Sequence, residues 1–253
     1  DVKAAPVSAG NGDVIIVEYK ATLNEGAVIG MPGNENTLVL KFSNNPNSTG
    51  DGENEPTGTT PPKIAVVFTF KTVVNKVQPD GEGTKPLAGA AFSLQKFVTN
   101  ANGTTEWKEV KSFTAGSETS FSFDGLDDGR YKLTETTTPD GFNTISDIYF
   151  KIEAVHDTTV PEGKDKAEIT SLTVTETDAD GNAFTDGNKP EFEVVFTPIS
   201  DANHANSGVS TDILNQKGST LPSTGGIGTT IFYVVGGILV LGAGILLVVK
   251  RRM

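Results

Sequence analysis

The sequence predicts an all-β protein whose main unit is an immunoglobulin-like β-sandwich, and three observations carry that expectation. Between residues 63 and 217, about nine short runs rich in β-branched and aromatic residues alternate with Gly, Asn, Asp and Pro turn signals. No segment there carries a 3.6-residue apolar stripe, so no amphipathic helix is expected. That stretch, about 155 residues with its loops, is long enough to bury a core without disulfides, and the chain has no cysteine to form one.

Taken in order, residues 1–46 read as the C-terminal part of a preceding β domain. Asp13 to Leu23 is β-branched and aromatic and predicts a strand. Thr37 to Ser43 predicts a second, ended by the turn residues Asn44-Asn45-Pro46-Asn47. Two strands alone are marginal in water, so these must complete a sheet or pack on the next domain. Residues 47–62 have no apolar periodicity and read as a linker, with a boundary near Pro61. The sandwich then opens with a long β run, Ile64 to Val77. Further strands are expected over 90–98, 107–113, 119–123, 130–136, 147–155, 168–177, 191–197 and 211–216.

Composition excludes several functions. The 253 residues carry a formal charge of −12, and no basic stripe lies outside the tail, which argues against nucleic acid. His156 and His204 are far apart, and His204 sits in a polar loop, so no metal site is expected. Asp178-Ala179-Asp180-Gly181-Asn182 has the flavour of a calcium loop, but its Gly falls too early and no Glu follows at the right offset; a hairpin turn is expected. The sequons Asn102-Gly103-Thr104 and Asn47-Ser48-Thr49 are read as incidental. No nucleophile triad or carboxylate pair stands out, so the chain is not read as an enzyme, and no cofactor is implied.

The tail differs in kind from everything before it. Leu221-Pro222-Ser223-Thr224-Gly225 precedes a glycine-rich apolar stretch, and Ile231 to Val249 contains no charge. As a helix rising about 1.5 Å per residue, that stretch spans roughly 28 Å, close to a bilayer's hydrocarbon thickness. Lys250-Arg251-Arg252 follows it, which puts the C-terminus in the cytoplasm and the rest outside. A membrane helix is therefore expected over 227–249, with a basic cytoplasmic tail over 250–253. Export needs a leader, and none precedes Asp1, so the chain is read as part of a longer one.

The pentapeptide, apolar span and basic tail together resemble the cell-wall sorting signal of Gram-positive surface proteins. That resemblance implies a partner, sortase, which cuts between Thr224 and Gly225 and passes the Thr carbonyl to an amine on a neighbouring subunit or on peptidoglycan. The membrane would hold the chain only until then.

Two internal motifs extend the resemblance over residues 63–217. Lys85-Pro86-Leu87-Ala88-Gly89-Ala90-Ala91-Phe92 is the first. The second runs from Phe123 through Tyr131-Lys132-Leu133-Thr134-Glu135-Thr136-Thr137-Thr138-Pro139-Asp140-Gly141-Phe142. It is similar to the E-box of Gram-positive pilins, Tyr-x-Leu-x-Glu-Thr-x-Ala-Pro-x-Gly-Tyr, departing at Thr138 and Phe142. Together they resemble the domain type described as the B region of a collagen adhesin. Residues 19–46 likewise resemble the end of the penultimate domain of sortase-assembled pilin subunits.

Strand alternation puts Tyr131, Leu133 and Glu135 on one face, so Glu135 points inward with two core residues. A buried carboxyl needs a partner. The resemblance implies one: the acid assists a spontaneous bond between a lysine amine and an asparagine side-chain amide, with loss of ammonia. The asparagine is expected on the last strand, where Asn215 stands. The lysine is expected on the first, which offers Lys71 and Lys76. Lys76 shares parity with Phe68, Phe70 and Val74 and is favoured; a β-bulge would reverse this and favour Lys71. The functional expectation is a pilus shaft subunit anchored at the cell wall. Its alternatives are a wall-anchored adhesin or ancillary pilin binding a host ligand, and, less well supported, a wall-anchored hydrolase. The Tyr-Pro-Lys motif that would mark a shaft subunit does not occur in residues 1–253.

Overall fold

The computed structural model describes residues 16, 18–44, 57–185, 187–190, 193–199 and 206–218, and every regular element among them is a strand. The sorting pentapeptide, the expected membrane span, the basic tail and His204 lie outside the described residues. In chain order the strands are β1 (Asn34–Leu38), β2 (Lys41–Ser43), β3 (Thr57–Thr59), β4 (Lys63–Val67), β5 (Phe70–Asp80), β6 (Gly83–Pro86) and β7 (Ala91–Thr99). They continue as β8 (Thr105–Phe113), β9 (Ser120–Leu126), β10 (Gly129–Thr137), β11 (Ile148–His156), β12 (Ile169–Thr177), β13 (Thr197–Ile199) and β14 (Gly208–Leu214).

Two sheets make the sandwich. One runs β12-β11-β10-β7-β8. The other is built around β5, which pairs in parallel with β14 and antiparallel with β6 and β9, while β13 extends it beyond β14. Their inner faces meet through Phe70, Val74, Phe121, Phe123 and Ile213 on one side and Phe92, Leu94, Tyr131, Leu133, Phe150 and Ile152 on the other. The aromatic residues interlock edge to face, Phe92 with Phe121 at 5.1 Å and Phe113 with Phe123 at 5.1 Å between centroids. Burial of this apolar surface drives the fold, and the strict two-residue period of β5 and β10 is its sequence signature.

Several expected elements differ. Of the predicted strand over 13–23, residues 16 and 18–23 are not in a strand, and the others lie outside the described residues. The single strand expected over 37–43 is two, β1 and β2, interrupted at the exposed Val39 and Leu40. Within the stretch read as a linker, Thr57–Thr59 pairs with Lys41–Ser43. Three residues of Thr-Gly-Thr have no periodicity to detect. The long run over 64–77 breaks into β4 and β5 at Phe68 and Thr69, and the break has a cause. There the Thr69 carbonyl accepts from Gly30 N–H at 2.7 Å and the Thr69 hydroxyl donates to the Val28 carbonyl at 3.3 Å, so the N-terminal segment docks on the chain where the strand would continue. Met31 then packs against the sandwich core. Of the strand expected over 191–197, residues 193–196 are unpaired and pairing begins at Thr197. The strand β6 is fully exposed and polar, which hid it among turn residues.

Candidate functional site

The site lies between the sheets where β5, β10 and the residue after β14 converge. On β5, Phe70, Thr72, Val74 and Lys76 are buried while Lys71, Val73 and Asn75 are only partly so. The one register shift on this strand falls at Phe70/Lys71, against β9, and the inward alternation runs unbroken from there to Lys76. Lys71 instead sits at the start of the β5–β14 ladder, opposite Gly208. On β10, Tyr131, Leu133 and Glu135 are the buried set. Parallel pairing of β14 with β5 puts Ile213 opposite Lys76 and Leu214 opposite Val77; Asn215 N–H then donates to the Val77 carbonyl at 3.0 Å.

These registers bring Lys76, Glu135 and Asn215 together, although Lys76 and Asn215 are 139 residues apart. Lys76 and Asn215 are 0% exposed and Glu135 is 5% exposed. The Lys76 ammonium donates to the Asn215 side-chain carbonyl Oδ1 and, at 3.0 Å, to the Ile213 backbone carbonyl. It stands 3.6 Å from Glu135 Oε1, with the Phe92 ring beside it at 6.0 Å. The Asn215 amide nitrogen donates to both carboxylate oxygens, at 3.0 and 3.2 Å. Amine, amide and acid thus form a closed triangle in an apolar, aromatic-walled core. Burial pulls the Lys76 amine down from 10.5 to about 8, against the raising influence of the Glu135 carboxylate and its hydrogen bond.

Two contacts to Glu135 are not legible in the sequence pattern. Its Oε2 accepts from the Thr138 hydroxyl at 3.2 Å and from the Ile145 backbone N–H at 3.1 Å. A backbone donor leaves no sequence signal. Thr138 sits in the motif itself, and its hydroxyl, where the family pattern has alanine, was the available cue.

The two motifs frame this triangle. Gly89 has φ +93°, a conformation that favours glycine, and a Cβ there would reach Pro139 at 3.6 Å, so the first motif turns directly against the second. Leu87 N–H donates to the Lys76 carbonyl at 2.9 Å, tying the same turn to the reactive strand. After β10 the loop clasps the chain beyond Asn215: Asn143 N–H donates to the Gln216 carbonyl at 3.0 Å and Gly218 N–H to the Gly141 carbonyl at 2.9 Å. The segment leading to the sorting pentapeptide is thereby held to the sandwich. Elsewhere, residues 178–182 form a turn. Asp178 accepts from the side chain and backbone of Asn182, which hold its carboxyl below the usual range, and from the backbone of Asp180.

Comparison with known proteins agrees with this architecture. Residues 71–167 match the SpaA family, described as a prealbumin-like fold domain, and residues 213–253 match the LPXTG cell wall anchor motif. The chain is 26% identical over 277 aligned residues to the trypsin-resistant surface T6 protein of Streptococcus pyogenes serotype M6, covering 93% of this chain and 48% of that protein. It therefore spans about half the length of the curated relative it matches. Among solved structures, the T6 backbone pilin of serotype M6 Streptococcus pyogenes aligns at 20% identity over 78% of this chain and 46% of that one, with a TM-score of 0.43. The C-terminal fragment of the pilus adhesin SpaC from Lactobacillus rhamnosus GG aligns at 25% identity over 61% of this chain and 47% of that one, with a TM-score of 0.33. The prealbumin-like domain and the anchor motif are those of an all-β, cell-wall-anchored surface protein. With the similarity to the T6 protein, these matches support a relationship to the sortase-assembled pilins of Gram-positive bacteria.

Proposed function

We propose that this chain is a structural subunit of a covalently polymerised pilus, whose C-terminal domain is locked by an autocatalytic bond between Lys76 and Asn215. The observation that carries the reading is the buried triangle of Lys76, Asn215 and Glu135 between the first long strand of the sandwich and its last. The chemistry follows from burial. An ammonium and a carboxylate are costly to hold in an apolar core, and passing one proton from Lys76 to Glu135 leaves two neutral groups, one of them a nucleophilic amine.

The amine attacks Cγ of Asn215, and the C–N bond to Nδ2 breaks as the new amide forms. Of the two protons that Nζ gives up, one departs on the leaving nitrogen as ammonia and one remains on Glu135, which moves both as general base and acid. The site begins as a buried ion pair and ends without charge. Sortase then cuts between Thr224 and Gly225 and joins the Thr224 carbonyl to an amine of the next subunit or of peptidoglycan.

Intact-mass spectrometry of the purified full chain tests the cross-link. The wild type should be lighter than its sequence by one ammonia, and Glu135→Ala and Lys76→Ala should have the full mass. A folded wild type with unmodified mass refutes the bond, and loss of the mass deficit in Lys71→Ala but not Lys76→Ala moves it to the other lysine. The assembly reading is tested separately in a sortase-bearing host, where wild type should give high-mass ladders and Thr224→Ala should not.

A further inference from the structure

The two oxygens of Glu135 are held unequally, and the difference has a chemical consequence. Oε2 accepts from the Thr138 hydroxyl at 3.2 Å, the Ile145 N–H at 3.1 Å and the Asn215 amide at 3.2 Å. Oε1 faces the Asn215 amide at 3.0 Å and the Lys76 amine at 3.6 Å, and receives no donor from the loop. Two of the donors to Oε2, the Ile145 and Asn215 N–H groups, cannot accept a proton from it. Oε1 is the oxygen 3.6 Å from the Lys76 amine, and so the one placed to take its proton.

We propose that Thr138 is a positioning residue for cross-link formation: its hydroxyl, with the Ile145 N–H, pins Oε2 so that proton transfer runs through Oε1. The inference rests on the cross-link reading above. The local fold explains why a residue only three positions on can turn back to Glu135. The β10–β7 register shifts between Glu135 and Thr137, and the bulge swings the chain end toward its own carboxylate. Thr138 is itself oriented by the Thr144 hydroxyl, 2.7 Å away, on the loop that also supplies Ile145. The loop and the strand end thus set the carboxyl rotamer jointly, one by a backbone donor and the other by a side chain. Because the pattern this motif resembles has alanine here, the hydroxyl is a feature of this chain rather than of the motif.

Thr138→Val keeps the shape and removes the donor; Thr138→Ser keeps the donor and removes the methyl group. The experiment is a pulse of cell-free synthesis of the full chain, chased and quenched in acid at intervals, with cross-linked and open forms separated by intact mass. Loss of one hydrogen bond to the reacting carboxyl should slow Thr138→Val about tenfold while leaving its end point complete. Thr138→Ser should react at close to the wild-type rate. A wild-type rate in Thr138→Val, or a Thr138→Ser as slow as the valine variant, overturns the positioning role while leaving the cross-link itself standing. A wild type that never loses ammonia removes both. If Thr138→Val fails to fold, Thr138→Ser decides alone, a slow rate counting against the proposal and a wild-type rate for it.

Discussion

A lysine amine with no exposed surface is tolerated only where something answers its charge, and at Lys76 the answer is incomplete. The amine donates to the uncharged Asn215 side-chain carbonyl and, at 3.0 Å, to one backbone carbonyl; one carboxylate stands at 3.6 Å, and aromatic and aliphatic side chains fill the rest. Desolvation therefore outweighs the attraction, and the amine titrates at about 8 rather than 10.5. The direction sets a pH dependence. The reactive form, a neutral amine beside a protonated Glu135, holds as many protons as the ion pair, and the site loses that proton to solvent as pH rises through about 8. The initial rate of ammonia loss should accordingly fall as pH rises above about 8, where Glu135 no longer has a proton to deliver to the leaving nitrogen. Pulse-chase kinetics in buffers on both sides of that value check this, and a rate that climbs through it and levels off would show that the amine suffices without a protonated acid. Tyr131 is perturbed the other way: burial pushes its phenol well up, and the neutral hydroxyl donates to the Asp127 carbonyl at 2.9 Å, fixing the turn into β10.

Among the elements, the β5–β14 pair decides whether the triangle forms, because its parallel register delivers Asn215 to Lys76. The ladder starts at Gly208 opposite Lys71, and a Cβ on Gly208 would fall inside contact distance of the Lys71 backbone carbonyl. Backbone cannot yield as a flexible side chain does, so Gly208→Ala should push the strands apart, costing about 1–3 kcal/mol before cross-linking and slowing the bond. Denaturant unfolding of Gly208→Ala in the Glu135→Ala background against that background alone measures the first effect; equal midpoints would mean the strands accommodate the methyl group. What the sequence discloses follows the same logic. Glu135 and Lys76 are legible because each lies in phase with large apolar neighbours on a strand with an unbroken two-residue period. Short or polar pairings are not: β3 is Thr-Gly-Thr, and all four residues of β6 are exposed. The break at Phe68–Thr69 is invisible for another reason. It is imposed from outside, by Val28 and Gly30, residues some forty positions away.

At the scale of the whole molecule, the position of the bond matters more than its strength. Closing a loop of this size is worth about 5 kcal/mol of stability through the unfolded chain, and an ordinary domain could gain that from a better core. Load presents a different demand. In the proposed pilus, force enters through Thr224, nine residues beyond Asn215, and the clasp of Gly141 on Gly218 lies between them. With Lys76 joined to Asn215, tension entering at the tail crosses the side-chain bond to β5 and leaves toward the N-terminal segment. The 139-residue separation and both sheets are then bypassed. Without the bond, the same pull shears β14 along β5, a parallel pair loaded at opposite ends, and the sandwich unravels once that pair yields. In single-molecule pulling between handles at Lys63 and Gly218, the Glu135→Ala chain should therefore lengthen by roughly 480 Å of contour, at about 3.5 Å per residue. The wild type should show no such step at any force that spares covalent bonds. A step of that size in wild-type molecules whose mass confirms the lost ammonia would mean that the bond does not carry the load.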